Sequence, residues 1–226
     1  VYYSISGEKY QEVIVIKVCN TLDCMHIPDG YLDPISCAVT YAVMAAYGAY
    51  AYRRGGLSEN LELAVGLAAA IFIAQMFNWP IPGGTSLHLV GGALAALMLG
   101  PCAAFFTMLL VLLVQAVVFH DGGITTLGAN VLNMGIVAPL VGYAIYRTLA
   151  GRSKFAAALL AGWASITAAG FLAGLEIGLS PAFPYGWAIS VPVMTGWHAL
   201  LGIVEGVITA LVVQYLAVKA PQYLRA

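Results

Sequence analysis

The chain has 226 residues, of which 62% are hydrophobic and 8% charged, and its mean hydropathy is +0.90. A soluble domain carries about 25% charged residues, so the composition excludes an ordinary water-soluble fold and reads as a membrane protein. A formal net charge of -1 gives no sign of nucleic-acid binding.

Residues 1–24 are polar for a chain of this composition. The apolar run Val13 to Val18 is too short for a signal peptide, and Lys17 interrupts it. Two domains are therefore expected. Residues 1–24 are an N-terminal extension, either an over-extended gene start or a segment removed from the working protein. Residues 25–226 are the membrane domain.

The junction reads Met25-His26-Ile27-Pro28-Asp29-Gly30-Tyr31-Leu32. In a chain that starts at Met25, the terminal amine, the next backbone nitrogen and the His26 ring can form two fused chelate rings on one metal ion. Such a site needs a metal able to displace an amide proton, which suits Ni(II) or Cu(II) better than Mg(II) or Ca(II). Pro28 and Gly30 allow a tight turn, so the terminus can fold back into a bundle. The alternative is an interfacial histidine with no ligand role.

Seven apolar runs follow, marked by their breakers. They cover roughly Pro34 to Tyr52, Leu61 to Trp79, Ser86 to Leu99, Cys102 to Phe119, Ala129 to Leu149, Phe155 to Ile177 and Val191 to Val218. The third is short for a span and is expected to be tilted or only partly helical. The expected fold class is an all-α integral membrane protein, a bundle of about seven transmembrane helices at about 20 residues each.

The basic residues orient the bundle. Arg53, Arg54, Arg147, Arg152, Lys154, Lys219 and Arg225 all fall on one side of a seven-span chain. The positive-inside rule makes that side cytoplasmic, with the N-terminus of the domain outside and the C-terminus inside. Trp79, Trp187 and Trp197 then lie near the outer ends of their runs. The four histidines (His26, His88, His120 and His198) lie in the outer half, where neutral imidazoles suit cation capture.

Several segments carry candidate chemistry. In Gly83-Gly84-Thr85-Ser86-Leu87-His88, the glycines permit close backbone approach. Thr85 or Ser86 is expected to cap the third span, with His88 in its first turn. There His88 can reach a terminus tucked between helices, or be simply a hydrogen-bonded histidine of a capped helix. In His120-Asp121-Gly122-Gly123, Asp121 can orient His120 or a ligand histidine. Asn130 and Asn133 share a helical face, although such residues more often satisfy loop and helix-end backbone groups.

Glu176 is expected to be solvated near the outer interface. Glu205, inside the last run, is a functional candidate because intramembrane acids are costly. Gln75 and Gln115 read as helix–helix hydrogen-bonding residues. Ala38, Ala42 and Ala46, with Ala45 and Ala49, give the first run a small-residue face for close contact within the bundle or with another subunit. The cysteines Cys19, Cys24, Cys37 and Cys102 lack CxxC spacing and read as buried thiols. No GxxxxGK[ST] loop, HExxH motif or GxSxG elbow occurs.

Taken together, Met25 to Leu32 (MHIPDGYL), Gly84 to His88 (GTSLH) and Asp121 to Met134 (DGGITTLGANVLNM) resemble the CbiM/NikM proteins. Those are the substrate-capture (S) components of energy-coupling factor importers for cobalt or nickel. The resemblance covers essentially all of residues 25–226. It implies a non-enzymatic transporter subunit in a prokaryotic plasma membrane, with Co(II) or Ni(II) as the transported ligand. It also implies four nitrogen ligands in a near-planar set: the Met25 amine, the His26 backbone nitrogen, the His26 ring and the His88 ring.

Asp29, Ser86, His120, Asp121 and Asn130 are candidate supporting residues around those ligands. The implied partners are a transmembrane coupling (T) subunit and two cytoplasmic ATPases, with a small accessory membrane subunit as an option. Ala38, Ala42 and Ala46 are the candidate coupling-subunit contact. The competing readings are an intramembrane hydrolase using Ser86, His88 or Glu205, and a self-sufficient divalent-cation carrier.

Overall fold

A computed structural model describes residues 26–56, 60–81 and 85–225. The extension 1–24 and Met25 lie outside the described residues, as do the side chains of residues 80–86.

Helix α1 (Pro34–Arg53) begins where Asp33 accepts hydrogen bonds from the backbone N–H groups of Ile35 and Ser36, and Pro34 fills the first helical position. Both features favour a helix start. The Ser36 hydroxyl bonded to Asp33 holds that carboxyl below its ordinary range. Helix α2 (Leu61–Gln75) leads to a short antiparallel hairpin of β1 (Trp79–Ile81) and β2 (Thr85–Leu87), in which Trp79 pairs with Leu87.

An irregular strap, residues 88–91, then enters α3 (Gly92–Leu99), and Gly100-Pro101 turns the chain into α4 (Pro101–Val118). The next long helix has three parts: α5 (Leu127–Val131), a π-helical turn (Leu132–Val137) and α6 (Ala138–Leu149). Pro139 follows the π turn and cannot donate the hydrogen bond that would continue regular pairing upstream. Helices α7 (Lys154–Leu179) and α8 (Trp187–Lys219) complete the bundle.

Among the described residues, four helices are long and apolar enough to cross a membrane: Pro101–Val118, Leu127–Leu149, Lys154–Leu179 and Trp187–Lys219. Their outer faces leave large apolar side chains exposed, such as Leu113, Phe171, Leu211 and Val218. A hydrocarbon surround rather than water suits such a surface.

The third apolar run is only partly helical, one of its two expected forms, but its helix is capped elsewhere than expected. Its first part is strand β2 and the strap, and only its second part is helix. Gly91, in a left-handed conformation, is the residue before the helix, so neither Thr85 nor Ser86 caps it and His88 is not in its first turn. Pro80, within β1, cannot donate a helical backbone hydrogen bond. Among the described residues the fold is therefore helical with one small hairpin. Helix α3 is buried from Gly92 to Leu99 except at Leu94, which is half-buried.

Helices α7 and α8 meet through glycine. A Cβ at Gly162 would sit 2.8 Å from Thr209 Oγ1, and one at Gly178 would sit 2.5 Å from Trp187 Cα. Helix α8 answers with Gly206, where a Cβ would fall 2.5 Å from Leu159 O. Small residues let helix backbones approach closely enough for dispersion to hold them in a membrane. At Gly174 a Cβ would meet Met194 Cβ and Ser190 O at 2.9 Å. Gly174→Leu is expected to lower stability by about 1–3 kcal/mol through overpacking, read as a lower thermal midpoint in detergent.

Candidate metal centre

The segment after Met25 is pinned inside the bundle. Ile27 N–H donates to Asn130 Oδ1 at 3.0 Å, and Asn130 Nδ2 donates back to Ile27 O at 3.1 Å. The same carbonyl accepts from Gly123 N–H at 3.0 Å and from the Thr126 hydroxyl. Asn130 thus acts as a side-chain substitute for a neighbouring strand. This anchoring buries His26 at 6% exposure.

The Asp121-Gly122-Gly123 turn completes the enclosure. His120 adopts a left-handed backbone (φ 54°), and Asp121 N–H donates to Gln115 O at 2.9 Å. Asp121 Oδ1 comes to 3.4 Å from His26 Nδ1. Gly122 has φ +86°, and a Cβ there would fall 2.8 Å from His26 Cβ. A Cβ on Gly123 would fall 2.3 Å from Asp29 Oδ1. Both glycines are therefore required by contact with the 26–29 segment. Asp29 accepts from Ile124 N–H at 3.2 Å, Thr125 N–H at 2.7 Å and the Thr125 hydroxyl.

His88 approaches from the strap. Its ring centroid lies 4.8 Å from that of His26, with the planes tilted by 56°. His88 Nδ1 lies 2.9 Å from Leu89 O. A carbonyl can only accept, so Nδ1 carries the proton and Nε2 keeps its lone pair. This is the usual way a second contact orients a ligand imidazole.

Two helices hold the strap that carries His88. Glu205 of α8 accepts from Val90 N–H at 2.7 Å and Gly91 N–H at 2.9 Å, and Gln75 Nε2 of α2 donates to Val90 O at 2.9 Å. Glu205 is 3% exposed. Glu205→Ala leaves the buried Val90 N–H, at about 1–3 kcal/mol, and the part-buried Gly91 N–H without their acceptor. The expected result is a lower thermal midpoint together with weaker metal binding, measured on one preparation by calorimetry and metal titration.

A cavity of about 50 Å³ lies between these groups. His26, His88, Asn130, Met194 and His198 are among the residues lining it. Neither His26 ring nitrogen makes a hydrogen bond among the described residues. Three imidazoles are among the groups that line this space, and imidazoles suit first-row transition metals better than Mg(II) or Ca(II).

The structure thus brings together His26, His88, Asp121 and Asn130. Asp29 stands one step away, fastening the 124–125 turn. His120 is exposed and does not join them; its contribution is the backbone turn that delivers Asp121. Asn130 and Asn133 have divergent tasks, because Asn133 lies in the π turn and donates to Glu176 Oε2 at 2.7 Å. Glu176 is part-buried rather than solvated, and its Oε1 has no hydrogen bond among the described residues. Sequence reasoning did not find His198 as a cavity residue; its position seven residues before Glu205, on the same face of α8, was the available signal.

A family model described as a cobalt uptake substrate-specific transmembrane region, CbiM, matches residues 26–223. The chain belongs to the CbiM family.

Relatives carry both metals in their names. The Archaeoglobus fulgidus protein assigned as a fused nickel transport protein, NikMN, is 54% identical over 199 residues, covering 87% of this chain and 67% of its own length. The cobalt transport protein CbiM of Clostridium tetani is 32% identical over 213 residues, covering 90% of this chain and 88% of its own. A crystal structure of a truncated transition metal transporter is 41% identical, with a TM-score of 0.81 over 85% of this chain and 98% of that one. CbiM-family membership and the four long apolar helices make this chain a multi-pass membrane protein of a metal-transport system.

Proposed function

We propose that this chain is the substrate-capture component of an energy-coupling factor importer, binding Co(II) or Ni(II) as cargo in the cavity between His26 and His88. The single observation that carries this reading is the meeting of those two buried imidazoles beside Asp121, 4.8 Å apart at their centroids. The ligands are the Met25 amine, the His26 backbone nitrogen, the His26 ring and His88 Nε2. Within His26, Nδ1 is the ring nitrogen that can close a six-membered chelate with the residue's own backbone nitrogen. Asp121 then places a carboxylate next to the ion and offsets part of its charge.

Seven membrane passages, with the domain's N-terminus outside and its C-terminus inside, fit the basic residues best. Arg53 ends α1, Arg147 lies in the last turn of α6, Lys154 starts α7 and Lys219 ends α8. In that orientation the metal enters from the extracellular side.

The chain contains no phosphate-binding loop, so a coupling subunit and two ATPases supply the energy. Ala38, Ala42 and Ala46 are exposed along α1 and form the face offered to the coupling subunit. The test is radioactive nickel or cobalt uptake in vesicles. Uptake should require ATP and all partner subunits. Uptake by the purified chain alone in ATP-free liposomes would instead identify a self-sufficient carrier.

A further inference from the structure

We propose that His198 forms a second, transient metal subsite on the α8 side of the cavity, through which the captured ion passes on release. This rests on the reading of the cavity as the cargo site and extends it to a residue outside the four-nitrogen set.

His198 is 7% exposed and lines the same cavity as His26 and His88. Its Nδ1 lies 2.7 Å from Met194 O. The carbonyl only accepts, so Nε2 carries the lone pair, as in His88. No hydrogen bond to Nε2 occurs among the described residues. The residue therefore has the tautomer of a metal ligand and a free donor nitrogen.

Helix α7 is shaped around this ring. A Cβ on Gly170 would fall 2.3 Å from His198 Cγ, 2.6 Å from its Cβ and 2.8 Å from its Nδ1. Nothing larger than glycine fits there while the imidazole stays in place. Met194 also lines the cavity, and its carbonyl holds the imidazole.

Position favours a release role. His198 lies eleven residues into α8, about 16 Å along the helix from Trp187. An ion leaving a strong chelate needs an intermediate donor, because a bare divalent ion in a mostly apolar interior is heavily penalised. One imidazole is weak enough to let the ion go.

The experiment uses Co(II) as a visible-absorption probe in a chain beginning at Met25, with three variants: His88→Ala, His88→Ala with His198→Leu, and His198→Leu alone. His88→Ala should retain weak Co(II) binding, and adding His198→Leu should weaken that residual binding at least tenfold. His198→Leu alone should keep tight capture within threefold while slowing ATP-driven uptake by the full complex at least tenfold. Gly170→Ala, which keeps the imidazole but displaces it, should slow uptake similarly. Equal residual binding with and without His198, or unchanged uptake in His198→Leu, overturns the subsite. Unchanged tight binding in His88→Ala would overturn the four-nitrogen reading instead, so the two failures are distinguishable.

Discussion

Replacing His88 by alanine is expected to weaken Ni(II) and Co(II) binding by more than about 100-fold, beyond the 10–100-fold typical of losing an outer partner of a metal ligand. The variant removes one nitrogen from the cavity and leaves the strap intact, because Glu205 and Gln75 bond to the backbone of residues 90 and 91. Folding should therefore survive, and a thermal midpoint close to the parent would separate ligand loss from collapse. Isothermal titration with each metal measures the effect. Affinity within a few-fold of the parent would remove His88 from the ligand set.

An effect of similar size is expected at the other end of the chelate. A chain beginning at Met25 should bind Ni(II) more than about 100-fold more tightly than one carrying residues 1–24, because a peptide bond at Met25 replaces a basic amine with an amide that is a poor donor until deprotonated. Acetylating the amine of the shorter chain should reproduce the loss. Equal affinity in the two chains would show that the amine is not a ligand. The anchoring of residue 27 by Asn130 and Thr126 makes the experiment clean, because those bonds do not involve Met25 or any residue before it.

Much of the scaffold was legible because apolar runs and their breakers are strong signals in a membrane chain. The run from Pro34 to Tyr52 became α1, ending one residue later, and the run from Phe155 to Ile177 became α7 with small extensions at both ends. The third run, expected to be tilted or only partly helical, is partly helical, but hydropathy did not locate its helix start, because a buried strap is as apolar as a helical turn. Pro80, Pro82, Gly83 and Gly84 signalled the interruption but not the hairpin, which depends on pairing between residues 79–81 and 85–87.

The candidate site shows the same division. The clustering of His26, His88, Asp121 and Asn130 followed motifs that were visible in the sequence. The reason for two glycines after Asp121 was not visible, because it lies in contacts with His26 and Asp29 nearly a hundred residues earlier. Glu205 was marked as an unusual acid within an apolar run. That it holds two backbone N–H groups of a distant strap could only come from the packing of α8 against residues 90–91.

Helix α3 has eight residues, about 12 Å of rise, against a hydrocarbon core about 30 Å thick. The chain leading into it must therefore hide its backbone polarity within protein wherever it lies in the membrane, since lipid offers no hydrogen bonds. That requirement ties the strap to its neighbours: α8 cannot shift relative to residues 90 and 91 without breaking two hydrogen bonds to Glu205, one of them buried, and the His88 ring is only two residues from Val90. The same α8 runs on to Lys219 at the basic end of the bundle. A displacement imposed on that end has a covalent and hydrogen-bonded route to the His88 ring at the cavity.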